Sequence, residues 1–153
     1  SLPNKYEKID YIIQKWIEVG ISNFYFYKWE RSQKLEVEAK KIGRFQKIML
    51  EAIEQSGRNK IGKLEFHNKL DLENNENELN IFMHTNNQNS INLKQIDISK
   101  FKIINIFVWP EWWFSDNEVE IFEKNWFKKV NLWEIIMRTE TVWVVVWFYI
   151  RQK

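Results

Sequence analysis

The 153-residue sequence has no cysteine, two histidines, two prolines and only four glycines. Without cysteine, disulfides and thiol catalysis are excluded. His67 and His84 with nearby carboxylates make a poor zinc ligand set, so no metal is expected. No run approaches the roughly 18 uncharged apolar residues of a membrane span. The most apolar stretch, Val142 to Ile150, is far shorter, so no membrane association is expected. The opening residues show no signal-peptide pattern. Four glycines, where a chain of this length averages about 11, leave few residues suited to tight turns or close backbone approach.

What is present is a chain of 44% hydrophobic and 29% charged residues, enough for one domain with a buried core. The net charge of +2 says little about partners. Between Lys28 and Lys63, however, ten Lys or Arg stand against five Glu, an excess that suits phosphates or merely a solvated helix face. Tryptophan is abundant, with nine residues, and its excess about equals the glycine deficit. Lys, Ile, Asn and Phe crowd the chain as in the product of an AT-rich gene.

Periodicity divides the chain. Tyr6 to Val19 places Ile9, Ile12, Ile13, Trp16 and Ile17 on one helical stripe, closed by Gly20. Asn23 to Tyr27 is strand-like. Glu38 to Gln55 is a second helix, with Ile42, Phe45, Met49, Ala52 and Ile53 on one side and Gly57 after it. Lys63 to Phe66 and Leu79 to His84 read as strands, and Asn86 to Ser99 is polar and aperiodic. Ile103 to Val108 is continuously apolar, as for a strand covered on both faces. Ser115-Asp116-Asn117-Glu118 is a capping box opening a helix whose apolar side holds Val119, Ile121 and Phe122. Lys129 to Leu132 is a short strand. Val142 to Ile150, rich in β-branched and aromatic residues, reads as a strand by propensity. Alternating helices and strands give an α/β class with a mainly parallel sheet and flanking helices.

Three segments carry candidate chemistry. The apolar strand runs into Val108, Trp109, Pro110, Glu111, Trp112 and Trp113, then Phe114 and the capped helix. A second strand runs into Leu132, Trp133, Glu134, Ile135, Ile136, Met137, Arg138, Thr139, Glu140 and Thr141. Ligand loops of open α/β sheets follow strands in this way. The third segment, Glu51 to Asn59, is a helix end with a polar tail.

These segments resemble the small-subunit ribosomal RNA uridine-N3 methyltransferases of the SPOUT superfamily. Trp109-Pro110-Glu111-Trp112-Trp113-Phe114-Ser115 is similar to that family's Gly-Pro-Glu-Gly-Gly-Phe-Ser. Leu132, Ile136, Arg138, Thr139, Glu140 and Thr141 match its Leu-Gly-x-Arg-Ile-Leu-Arg-Thr-Glu-Thr. Glu51, Ala52 and Glu54 to Arg58 match its Glu-Ala-x-Glu-Gln-Ser-Gly-Arg, and Glu30-Arg31-Ser32 its Glu-Arg-Ser. The resemblance spans nearly the whole chain. It implies residues 1–153 as one methyltransferase domain, tied C-terminally into a deep trefoil knot. It also implies S-adenosylmethionine held in the knot, a homodimer in the cytoplasm, and small-subunit ribosomal RNA as partner. The family's usual N-terminal RNA-binding β-barrel would precede this chain.

By resemblance, the cofactor loops are Val108 to Trp113 and Leu132, Trp133 and Ile136 to Thr139, with Glu111 and Arg138 as catalytic candidates. Arg138 suits a cofactor carboxylate or an RNA phosphate, or else a structural tie to Glu140. Thr139 and Glu140 suit a helix cap. Arg31 and Arg58 are the RNA candidates, with surface solvation the plain alternative; His84 and His67 read as structural. The reaction is attack of a uridine N3 on the cofactor methyl group. N3 is protonated at neutral pH, so a base or a favourable field is required, and no residue stands out as that base.

The departures are systematic. Trp109, Trp112, Trp113, Trp126 and Trp133 occupy the family's glycine positions; Trp16, Trp143 and Trp147 occupy small-residue positions, and at 143 and 147 another helix would pack closely. Trp29 fits this pattern least, and Ile135 replaces an arginine. One cause explains the set: UGA codons that mean glycine in the source cell, read as tryptophan. With glycine at 143 and 147, the last segment reads as a helix. If the tryptophans are genuine, the alternative is an inactive, knotted RNA-binding remnant.

Overall fold

A computed structural model of the chain describes residues 3, 5–21, 23–29, 37–68, 72, 75–85, 89–109, 114–132 and 136–152. The elements in chain order are α1 (Tyr6–Glu18), β1 (Phe24–Tyr27), α2 (Ala39–Gln55), β2 (Leu64–His67), β3 (Glu78–Met83), β4 (Ile91–Asn92), β5 (Ile103–Phe107), α3 (Asp116–Lys124), β6 (Lys128–Asn131) and α4 (Thr139–Arg151). Two short 3₁₀ turns, Leu93–Gln95 and Ile98–Lys100, occupy the polar stretch before β5.

Among the described residues every strand pairing is parallel, in two sheets rather than one. β1 pairs with β2, and the other four strands run in the order β4-β6-β3-β5. The central β3 has all but its first residue buried, as a strand with neighbours on both sides requires. β5 departs from expectation. It is an edge strand, only partly buried, and Ile103 is half exposed.

Two apolar clusters hold the elements. The stripe Ile9, Ile12, Ile13, Trp16 and Ile17 of α1 meets Phe45, Met49, Ala52 and Ile53 of α2, with Phe24 and Phe26 of β1 between them. The second cluster joins β3, β6 and α3 to Val142, Val146 and Ile150 of α4. Those three residues recur every fourth position, so one side of α4 is buried as a helix stripe. The strand expected over 142–150 is therefore wrong. β-branched residues disfavour an isolated helix only weakly, and burial of a continuous face outweighs that preference. Ile121 is likewise corrected: it is exposed, while Phe122 fills the core.

Candidate functional site

The site begins at the carboxyl ends of three adjacent strands. β3 lies between β5 and β6, so Val108, His84 and Leu132 leave the sheet side by side. Val108, Trp109 and Leu132 are buried at the root of their loops. The two loops expected to act together are joined directly: the Thr139 hydroxyl donates to the Trp109 carbonyl at 3.1 Å. This replaces the capping role expected of Thr139, which is the first residue of α4 rather than its cap. The cap is Arg138, in extended conformation and with no side-chain cap bond; its carbonyl accepts from the amides of Thr141 and Val142.

Arg138 is exposed, and among the described residues its guanidinium forms no hydrogen bond or ion pair. The structural tie to Glu140 is not made. An unengaged guanidinium beside the first-turn amides of a 13-residue helix is a ready partner for a carboxylate or phosphate, although Glu140 in the same turn offsets part of that field. Ile136 is exposed and Met137 half-buried against the core cluster. The His84 amide donates to the Val130 carbonyl at 2.9 Å, which carries the β3–β6 pairing one residue further.

On the other side of the Val108 loop, Phe114 packs edge-on against Trp29 at 4.9 Å and Phe122 at 5.0 Å. The expected capping box then forms: the Ser115 amide donates to Glu118 Oε2 at 2.7 Å and the Glu118 amide to Ser115 Oγ at 3.2 Å. The loop is thus anchored at both ends. Pro110, Glu111, Trp112, Trp113, Trp133 and Ile135 lie outside the described residues, as does Arg31. Arg58 is engaged within the chain. Its Nη1 donates to the carbonyls of Ile17 and Ile21 at 3.0 and 2.8 Å, binding the end of α1 to the segment after α2. No pattern in the sequence exposes that role, because its acceptors are backbone atoms 41 and 37 residues away. A part-buried polar chain has no sequence signal either: Asn105 Nδ2 donates to Asn80 Oδ1 at 2.8 Å and to Glu78 Oε2 at 2.7 Å, across β3 and β5. Among the described residues no group of His, Asp or Glu could hold a metal ion, and no helix is long and apolar enough to cross a membrane.

Known proteins share this architecture. A family model described as an RNA methyltransferase domain matches residues 1–151. "Ribosomal RNA small subunit methyltransferase E" of Buchnera aphidicola is 32% identical over 151 residues, covering 93% of this chain and 57% of that protein. The protein of the same name in Mesomycoplasma hyopneumoniae is 32% identical over 142 residues, covering 90% and 61%. The chain thus spans about three-fifths of the length of these curated relatives. Among solved structures, a Neisseria gonorrhoeae ribosomal RNA small subunit methyltransferase E bound to S-adenosyl methionine superposes with a TM-score of 0.83 at 24% identity, covering 99% of this chain and 63% of that one. A predicted RNA methyltransferase from Thermotoga maritima gives 0.71 at 26% identity, covering 98% and 62%. With the family model matching almost end to end and both loops joined at the carboxyl edge of a parallel sheet, the chain belongs to the RNA methyltransferase domain family.

Proposed function

We propose that the protein methylates N3 of a uridine in small-subunit ribosomal RNA, using S-adenosylmethionine. The observation that carries this reading is the Thr139–Trp109 bond, which draws the two candidate loops into one site in a chain of this family. The names of the relatives support the RNA class, and the bound ligand of the Neisseria structure supports the cofactor.

The residues fit such a cofactor at one testable point: the Arg138 guanidinium is unengaged and suits its carboxylate. Val108 to Trp113, Leu132, Trp133 and Ile136 to Thr139 would hold the rest. When bound, the cofactor supplies an electrophilic methyl group. The chain itself must orient the uridine and favour its N3 anion by position and field, with Glu111 and Arg138 in those roles. The loop residues belong to a C-terminal trefoil knot in this reading, within a domain spanning residues 1–153. Arg31 is the RNA contact we retain; Arg58, bound to two carbonyls, has a structural account of its own. The protein acts in the cytoplasm as a homodimer.

Calorimetry with S-adenosylmethionine tests the site, in the chain carrying glycine at 109, 112, 113 and 133. Arg138→Ala should weaken binding by about 10- to 100-fold, the worth of a charge-assisted hydrogen bond. Unchanged affinity removes Arg138 from the site. No binding by the glycine-bearing chain itself favours the inactive remnant.

A further inference from the structure

We infer that the first half of α2 is a track for an RNA backbone: Lys40, Arg44 and Lys47, with the bare helix backbone at Gly43 among them, lead a strand of RNA toward the loops after β5 and β6. This surface rests on the RNA reading proposed above and extends it to residues outside both loops.

Charge is distributed unevenly along α2. Its first nine residues, Ala39 to Lys47, hold four cations and no acid, whereas Glu51 and Glu54 lie in its second half. Residues 40, 43, 44 and 47 share one face at helical spacing. All four are exposed, and the opposite side of the helix buries Phe45, Met49, Ala52 and Ile53. Among the described residues Lys40 forms no ion pair. Lys47 stands 3.8 Å from Glu51, but the two side chains are 78% and 60% exposed, and a pair so solvated holds its cation weakly. Arg44 contacts Asp10 while half of its side chain stays in solvent. Lys41 turns aside, over the Tyr6 ring at 4.7 Å. No exposed large apolar side chain lies between 39 and 47 to form the centre of a protein interface. Unbalanced positive charge without such a centre suits a polyanion.

Gly43 is the independent observation. It lies inside a 17-residue helix, where glycine is destabilising because it loses more backbone freedom than any other residue. Its backbone does not have positive φ, and an added Cβ would meet nothing within 4 Å. Neither a turn nor packing within the chain calls for glycine there. What glycine does provide is a bare stretch of helix beside Lys40, Arg44 and Lys47, where a phosphate backbone can approach closely.

The fold aims this track at the site. Arg58, just after α2, binds the carbonyls of Ile17 and Ile21 ahead of β1, so the acidic end of α2 lies at the amino end of β1. A helix of this length spans about 25 Å, which carries its basic first turns to the carboxyl end of β1. There Trp29 packs on Phe114, the residue that closes the loop after β5, at 4.9 Å. The cations therefore stand at the edge from which the candidate loops emerge, and Glu51 and Glu54 at the far end. That polarity attracts a polyanion to the working edge.

Filter binding of deproteinised small-subunit ribosomal RNA, from about 50 to about 200 mM salt, tests the track. Lys40→Ala/Lys47→Ala should weaken binding about 10-fold or more and lower the salt slope by about 1.4 to 1.8, as loss of two phosphate contacts requires. Lys124→Ala/Lys128→Ala removes the same charge at the opposite edge, from the end of α3 and the start of β6, and should leave affinity within about 2-fold and the slope unchanged. Gly43→Gln should raise the thermal midpoint by about 1 to 4 °C, yet weaken RNA binding by at least about 3-fold through bulk on the track. A solvated face with no partner predicts the gain in stability without the loss of binding. Equal losses in the two double variants, no loss in Lys40→Ala/Lys47→Ala, or unchanged binding by Gly43→Gln would each overturn the track while leaving the RNA reading in place. A parent chain that takes up no ribosomal RNA at about 50 mM salt would overturn the RNA reading and the track with it.

Discussion

Ser115 shows how one side chain can position a functional loop. Its hydroxyl and the Glu118 carboxylate satisfy each other's backbone amides in a buried corner, where the loop after Val108 must turn into α3. Ser115→Ala removes one acceptor and should cost about 1 kcal/mol in urea unfolding; a change below about 0.3 kcal/mol would show the cap to be dispensable. Asp10 is a contrasting case. Arg44 contacts its Oδ2, yet Oδ1 is buried without a partner, and burial holds the carboxyl above its ordinary value. An acid whose folded value is raised stabilises the fold while protonated. That contribution is full below the unfolded value and is lost as pH rises through the folded one. Relative to Asp10→Asn, the parent chain should therefore lose stability as pH climbs from below the ordinary aspartate value through the raised folded one. A relative gain as pH rises would mean that the Arg44 pair outweighs burial.

Among the elements, α3 illustrates the difference between an apolar residue and a core residue. Phe122 is fully buried, with ring centroids 4.8 Å from Phe82, 5.3 Å from Phe127 and 5.4 Å from Phe107. It joins the helix to the sheet from which both candidate loops emerge. Phe122→Ala should cost about 3 to 5 kcal/mol, whereas Ile121→Ala, at an exposed position next to it, should change stability by less than about 0.5 kcal/mol. Equal costs would mean that α3 is rotated about its axis. The helices α1 and α2 are legible in sequence because their apolar spacing is regular and both are followed by glycine. α4 is legible only in part, since its local propensity and its burial stripe point to different structures.

For the whole molecule, assembly is the sharpest expectation. Residues 143 and 147 were expected to receive another helix, and the helix that covers them is α1 of the same chain. The proposed dimer must then use a different side of α4, where Phe148 is 66% exposed. Light scattering of the chain with glycine at its seven candidate positions should give twice the chain mass at micromolar concentration, and adding Phe148→Lys should give the monomer. A monomeric mass before that addition would remove the homodimer.

Local chemistry by itself determined where α1, α2 and α3 lie, how α3 is capped, and that strands alternate with helices in an α/β chain. Those features rest on spacing and on contacts a few residues long, which a sequence displays. The motifs also singled out both candidate loops, because Pro-Glu and Arg-Thr-Glu-Thr each follow a strand. Only the tertiary structure decided that these loops meet through Thr139 and Trp109, 30 residues apart. It alone showed that Arg58 serves α1, that β5 is an edge, and that α4 is a helix despite its composition. Each of these depends on a partner distant in sequence, and in α4 burial against that partner outweighs the local preference.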